Sequence, residues 1–321
     1  MQSARLLTGL MLGAVVLWGA GPAMAQQAQR PTTMVVPFVP GGATDLLARL
    51  TASNLSSQAG QNVIVENRSG AGGYVGSEYV SRAAADGSAL LFTAQGTLHS
   101  HLFVKGQSTV LSRALVPIAG IGEAPFVLVA PTNLPTKSLG EFLAYVKASP
   151  TKLNVAIVTG GAQLLDTVTF LRRAGLDMVM IPYNDGQGPL LSLVRGENQF
   201  YIGTLTVSKP HLESKRIVAL AVSGAARFSL AAEIPTVKEQ GVNFVAGVYY
   251  AVFGPAKMSP ELVAQLNKRI LSSMDNRAAR EGLSKIGFDP VPGTPEELAV
   301  RFAKELTDLT EAAAIAGIQP Q

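Results

Sequence analysis

Five short segments of this sequence combine glycine with small polar residues and fall between an apolar run and a stretch of helical periodicity. They are Pro40-Gly41-Gly42-Ala43-Thr44-Asp45, Gly70-Ala71-Gly72-Gly73, Ala94-Gln95-Gly96-Thr97, Thr159-Gly160-Gly161-Ala162 and Asn184-Asp185-Gly186-Gln187-Gly188. A turn of this kind presents free backbone N–H groups where a helix begins. Such a helix end carries partial positive charge and binds a carboxylate or phosphate without any lysine or arginine. Glycine in one strand-to-helix turn is commonly there for packing alone. Repetition of the pattern is what points to a binding cleft. In the first turn no Lys or Arg occurs from Phe38 to Leu47.

Other chemistries find little support. Gly70-Ala71-Gly72 begins like a dinucleotide fingerprint, but the sixth position is Val75 and Gly76 comes one residue late. There is no phosphate-binding G-x-x-x-x-G-K-[ST], no G-x-S-x-G and no H-E-x-x-H. The absence of cysteine excludes thiol nucleophiles and iron–sulfur clusters. Of the three histidines, His99 and His101 share one side only if their segment is extended, and no third ligand is near; His211 is expected at a solvated helix surface. Asp45 reads as a first-turn helix acid. Asp166 and Asp185 have no visible partner carboxylate. No catalytic residue, metal or cofactor is therefore expected, and the reading is reversible binding. The alternative is a metal-independent isomerase or lyase on the same fold. Aromatic residues are scarce, at 6%. Tyr74 and Tyr250 are the candidate pocket walls, with Tyr183 beside them.

The elements that must position these turns alternate along the chain. Strands are predicted at Met34–Phe38, Asn62–Glu66, Ala89–Thr93 and Phe126–Ala130, with helices at Asp45–Gln58 and Gly76–Ala85. The order βαβαβ argues for a parallel, doubly wound sheet, whose ligands lie at the carboxyl edge of the strands. The alternation restarts with a capping box at Ser138 and Glu141. Strands follow at Leu153–Val158, Met178–Pro182, Gln199–Ile202, Ile217–Val222 and Val248–Phe253, with helices at Gln163–Ala174 and Pro189–Arg195. Ser259-Pro260 and Thr294-Pro295 open helices in the tail. Phe126–Pro131 and Ala251–Ala256 end alike, and each reads as a crossover between two lobes. The expected architecture is α/β: two doubly wound sheets with a cleft between them. Residues 26–129 and 247–321 make lobe 1, and residues 130–246 make lobe 2.

The N-terminus carries Arg5, an apolar run Leu6–Ala20, then Gly21-Pro22 and Ala23-Met24-Ala25. This is the pattern of a cleaved secretory signal over residues 1–25. Fifteen residues span about 22 Å as a helix, too short for a hydrocarbon core of roughly 30 Å. The expected location is the periplasm. A formal charge of +4, scattered rather than striped, speaks against nucleic acid.

The blocks VVPFVPGGATD, VIVENRSGAGGYVG, AAADGSALLFTAQGT, KSLGEFLAYVKASPTKLN, MIPYNDGQGPLLSLVRG, ALAVSGAARFSLAAEIPTVKEQGV and FGPAKMSPELVAQLN occur in this order. They resemble successive blocks of the tripartite tricarboxylate transporter substrate-binding proteins, also called the Bug family. The resemblance implies a two-lobed periplasmic binding protein of the Venus flytrap type, a small carboxylate ligand (di-, tri- or aromatic), and integral-membrane transporter subunits as partners. A ligand-presenting sensor component is the other reading of the same fold. A monomer is expected. Carried over by position, Gly41, Gly42, Ala43 and Thr44 grip one carboxylate, flanked by Thr93, Ala94, Gln95 and Gly96, with Gly73 and Tyr74 nearby. Thr159, Gly160, Gly161, Ala162 and Gln163, with Tyr183, Asn184 and Asp185, hold the distal end. The sequence departs from the family at Gly203-Thr204, where an Asp-Asn pair is common, and at Asn184-Asp185, where Lys-Gly is common. Together the departures count against amino-acid ligands and the commonest tricarboxylates.

Overall fold

In the computed structural model the described residues are 31–59, 62–102, 106–149, 151–158, 162–183, 187–315 and 317. The expected signal segment, residues 1–25, lies outside them.

The first half follows the predicted alternation: β1 (Thr32–Val36), α1 (Ala43–Ala59), β2 (Val63–Asn67), α2 (Tyr74–Ser81) and β3 (Ala89–Ala94). β1 pairs in parallel with β2 and β3. A short α3 (Leu111–Ala114) leads into β4 (Leu115–Pro131), which is 17 residues long. Only its last third was read as a strand from sequence. Pro117, Gly120, Gly122 and Pro125 interrupt the apolar pattern, and the pairing of β4 slips at Pro117/Ala119 and Gly120/Gly122. Such slips are β-bulge signatures that local propensity does not reveal.

Then come α4 (Leu139–Ala148), β5 (Asn154–Val158), α5 (Ala162–Ala174), β6 (Val179–Tyr183), α6 (Gln187–Val194), β7 (Phe200–Thr204), α7 (Leu205–Glu213) and β8 (Ile217–Val222). β9 (Gly247–Pro255), α8 (Pro260–Met274), α9 (Arg277–Ile286), β10 (Asp289–Pro290) and α10 (Pro295–Ile315) complete the chain. The predicted caps form. Ser138 Oγ accepts from Glu141 N at 3.2 Å and Ser259 Oγ from Leu262 N at 3.3 Å. Thr294 and Glu297 close a reciprocal box, at 2.9 and 3.2 Å.

Two sheets share β4. The first runs β2-β1-β3-β9-β4 and the second β6-β5-β7-β4-β8. Each is doubly wound, and together they make a two-lobed α/β fold. The sheets are mixed rather than parallel as expected. β9 runs antiparallel to β3 and β4, and β4 runs antiparallel to β7 and β8. The reason is topological: each sheet takes in one strand that arrives from the other lobe, and it enters against the local direction. The first expected crossover, Phe126–Pro131, is the part of β4 already inside the second sheet. The second expected crossover is displaced. Ala251–Pro255 already pairs within the first sheet, and the crossing itself lies at Ala246–Gly247, where Gly247 pairs with Pro125.

Burial follows the pleats. Met34, Leu90, Phe92 and Val252 pack with Leu47 and Ile270 in one cluster that also takes in Ala156 and Leu190. The second sheet is filled by a file of rings, Phe142–Phe200–Phe170–Phe244, with centroids 5.0, 5.3 and 5.4 Å apart. Among the described residues no helix is long and apolar enough to cross a membrane.

Candidate ligand cleft

The pairing registers bring the carboxyl edges of the two sheets face to face. Ala94, the last residue of β3, pairs with Tyr250, and Tyr250 pairs with Gly122 of β4. Four residues further along β4, Phe126 pairs with Thr204, the last residue of β7. Four residues of strand span about 13 Å. The carboxyl ends of β3 and β7 therefore point toward each other across roughly that gap.

On the first-lobe side, three of the predicted turns converge. Gly73 has φ +94°, and a side chain there would strike the Thr97 methyl and the Phe38 ring. The second turn thus packs directly onto the first and third. Thr93 Oγ1 and Thr97 Oγ1 share a hydrogen bond at 2.8 Å, both buried. Thr44 hydrogen-bonds the Tyr250 phenol, which burial pushes up and Thr44 pulls back. Tyr250 is itself fixed by Phe92, stacked at 6.1 Å, and by the edge of Phe288 at 5.2 Å.

The first turn is built around Asp45. Its Oδ2 accepts from Gly41 N at 3.0 Å and Arg49 Nε at 2.9 Å, and its Oδ1 accepts from Asn67 Nδ2 at 2.9 Å. Burial alone would raise this carboxyl, but the bonds from Arg49, Gly41 and Asn67 hold it at about 2. The Gly41 amide is therefore already used. Leu46 N donates to Gly42 O at 3.0 Å and starts the helix ladder. The amides of Ala43, Thr44 and Asp45, at the mouth of α1, have no protein acceptor among the described residues. Gly42 has open space around its Cα; it is Gly41 that holds the left-handed φ, at +88°. Arg49 is not the solvated bystander its position suggests, because it is the cation of the Asp45 pair.

Gln95 and Tyr74 are differently engaged. Gln95 is buried; its Nε2 donates to Gly247 O at 2.8 Å and Glu305 Oε1 at 3.1 Å, and its Oε1 accepts from Tyr249 N at 2.7 Å. It ties β3 to β9 and α10. Tyr74 donates to Glu78 Oε1 at 2.7 Å and accepts from Thr109 N at 3.0 Å, which binds its hydroxyl within the first lobe. Ala94 and Gly96 are half-buried at the end of β3.

On the second-lobe side Thr159, Gly160, Gly161, Asn184 and Asp185 lie outside the described residues. Ala162 opens α5, and Gln163 Nε2 next to it donates to Ile202 O and, at 3.2 Å, to Tyr201 Oη. Tyr183 ends β6; its ring lies against Gly188 and its hydroxyl accepts from Asn198 Nδ2 at 2.8 Å. Gly203 lies under the ring of Tyr201, and Thr204 precedes α7 without capping it by its side chain.

Two expectations about titratable groups are corrected. His211 is buried rather than solvated, in the helix face that packs inward. Asp166 does have carboxylate neighbours: Glu305 and Asp308 of α10, which add to its raised value after burial itself. Their sequence distance hid them. His99 and His101 sit on a 3₁₀ turn, not an extended segment, and burial, then His101, holds His99 down to about 4. Among the described residues no group of three or more His, Asp or Glu side chains is placed to hold a metal. Asn67 and Arg49 are the functional-looking residues that sequence reasoning missed. The Glu66-Asn67-Arg68 block was on view, but only the fold shows that Asn67 reaches Asp45.

Comparison with known proteins agrees with this architecture. Residues 47–315 match the model of the tripartite tricarboxylate transporter family receptors. The chain is 34% identical to protein BugT of Bordetella pertussis over 286 residues, 86% of each chain. Among solved structures it resembles R. palustris Rpa4515 with adipate (TM-score 0.71, 29% identity, 91% of this chain and 99% of that one). It also resembles MatC from Rhodopseudomonas palustris with bound malate (TM-score 0.66, 28% identity, 88% and 99%). The chain is thus a solute-binding receptor rather than an enzyme, and it belongs to the tripartite tricarboxylate transporter receptor family.

Proposed function

We propose that this chain captures a small carboxylate in the periplasm and delivers it to the membrane subunits of a tripartite tricarboxylate-type transporter. The observation that carries the reading is the mouth of α1. Three amides, of Ala43, Thr44 and Asp45, are left without protein acceptors at a turn facing the second lobe, and the cation beside it, Arg49, is spent on the Asp45 carboxylate. That is an anion site made of backbone. The relatives solved with adipate and with malate support a carboxylate as the anion. Two or three charge-assisted bonds of about 1.5–3 kcal/mol each suffice for micromolar affinity, near −8 kcal/mol, after association costs.

In this reading residues 26–129 and 247–321 form lobe 1 and residues 130–246 lobe 2. Residues 1–25 are a cleaved export signal, and the mature receptor is a monomer. Gly41–Thr44 takes one carboxylate and Tyr250 walls the pocket. Thr159–Gln163, with Tyr183–Asp185, takes the far end of the ligand after closure.

The test is isothermal titration over a panel of C4 to C8 dicarboxylates, tricarboxylates and aromatic carboxylates. Gly42→Val is the key variant. Gly42 has room for a side chain and needs no left-handed φ, so the variant folds and obstructs only the ligand. Loss of binding by at least tenfold with unchanged melting supports the site. Wild-type affinity in the variant sinks it, as does an absence of binding across the panel. Uptake by a deletion strain separates delivery from sensing: a strain that still imports the bound carboxylate at the normal rate contradicts a transport role.

A further inference from the structure

A receptor that takes a carboxylate at the mouth of α1 has a buried carboxylate already there. Asp45 is 2% exposed and sits in the first turn of α1. It occupies the place that a helix dipole offers to an anion. An unneutralised charge at that point repels a second anion settling on the neighbouring amides. Arg49 and Asn67 answer this. Arg49 Nε meets Asp45 Oδ2 at 2.9 Å, and Arg49 Nη2 reaches Asn67 Oδ1 at 3.2 Å. Asn67 Nδ2 bonds both Asp45 Oδ1, at 2.9 Å, and Phe38 O, at 3.0 Å. With Gly41 N on Asp45 Oδ2, the entry and the apex of the Phe38–Gly41 turn hang on one carboxylate and one amide.

We propose that Asp45, Asn67 and Arg49 form a charge-neutral clamp: Asp45 and Asn67 set the shape of the ligand turn, and Arg49 cancels the Asp45 charge so that a ligand carboxylate can settle on the Ala43 and Thr44 amides. The inference rests on the carboxylate-receptor reading above. It assigns Arg49 as a positioning residue that never touches ligand, about one helical turn behind the site. Its side chain is half-exposed, at 51%, so removing it leaves the core alone.

The experiment uses the tightest binder from the carboxylate panel, titrated into wild type, Arg49→Ala, Arg49→Lys, Asp45→Asn and the double variant Asp45→Asn/Arg49→Ala, at 50 and 500 mM salt, with melting curves for each. Arg49→Ala is expected to weaken binding roughly five- to tenfold at low salt, and less at high salt, since screening removes a repulsion. Arg49→Lys restores most of the affinity. The decisive result is the double variant, which binds more tightly than Arg49→Ala alone because the unneutralised negative charge is gone. A purely structural role for Arg49 predicts the reverse, a further loss in the double variant with no salt dependence, and that result overturns the clamp. Wild-type affinity in Arg49→Ala overturns it too. Normal binding by Gly42→Val is a different failure: it removes the site reading, and the clamp with it.

Discussion

Tyr201 lays its ring over the Cα of Gly203, two residues on along β7, so closely that a side chain at 203 would overlap the ring. The ring is 2% exposed and its hydroxyl accepts from Gln163 Nε2 at 3.2 Å, so it has nowhere to go. This gives a physical reason for glycine where the family resemblance led us to expect aspartate. Gly203→Ala is expected to cost about 1–3 kcal/mol by overpacking, read as a lower urea midpoint at constant m-value. An unchanged midpoint would show that the ring moves freely.

The same contact bears on ligand choice. With Tyr201 in the way, β7 offers no carboxylate to pair a ligand ammonium. Succinate and glutarate should therefore bind at least tenfold more tightly than aspartate and glutamate, their amino counterparts. Tighter binding of the amino acids in titration would contradict this.

The residues that were hard to read explain themselves. β8 was legible to the residue, at Ile217–Val222, because it is a continuous apolar run. The three first-lobe turns were legible because glycine marks them. The long β4 was not, because its prolines and glycines serve bulges and a lobe crossing rather than local strand propensity. The antiparallel entry of β9 is a property of chain path, which no local window contains. In the first turn the sequence does not tell Gly41 from Gly42; in the fold Gly41 carries the positive φ and the spent amide. Only the long-range partners of Asp45 settle which amides stay free.

The two lobe crossings are clasped by one hydroxyl. Ser223 Oγ accepts from Phe126 N at 2.9 Å and donates to Ala246 O at 2.7 Å, while Ala246 N donates to Ser223 O at 3.0 Å. Ser223 and Phe126 are buried, at 0% and 4% exposure, and Ala246 is half-buried. Ser223→Ala leaves a buried amide and a carbonyl short of partners, a loss of about 1–3 kcal/mol. A thermal or urea melt checks it. Stability equal to wild type would mean that water replaces the hydroxyl at no cost.

Two crossings run side by side, at Pro125–Phe126 and Ala246–Gly247, and closure of the lobes is expected to hinge there. Small-angle scattering should show a smaller radius of gyration at saturating ligand than without it. An unchanged radius at confirmed saturation contradicts hinge closure.

The last prediction concerns pH. On α10, Glu305 accepts from Gln95 Nε2 at 3.1 Å, and burial pushes its carboxyl up to about 7, against the pull of Gln95 and Arg301 and with the push of Asp308. Asp166 of α5 is raised as well, by burial first and then by Glu305 and Asp308. The cations around them are already engaged: Arg173 and Lys304 with Asp308, at 3.7 and 2.7 Å, and Arg301 with Glu123 at 2.8 Å. Tyr249, on β9 beside them, stays neutral because burial raises its phenol. A carboxyl whose folded value lies above its unfolded one makes the folded state bind more protons between the two. Stability conferred by Glu305 is therefore full below about 4.5 and is lost as pH rises to about 7. His99 acts in the opposite sense: held at about 4, it favours the folded state above 6.5 and takes stability away as pH falls. The two opposing slopes flatten the wild-type profile. Glu305→Gln keeps an acceptor for Gln95 and removes only the acid. The variant should melt higher than wild type at pH 8, and the difference should close toward pH 4, leaving the histidine slope exposed. Identical melting at pH 8, or a variant destabilised equally at every pH, would mean that Glu305 is ionised at no cost in the fold.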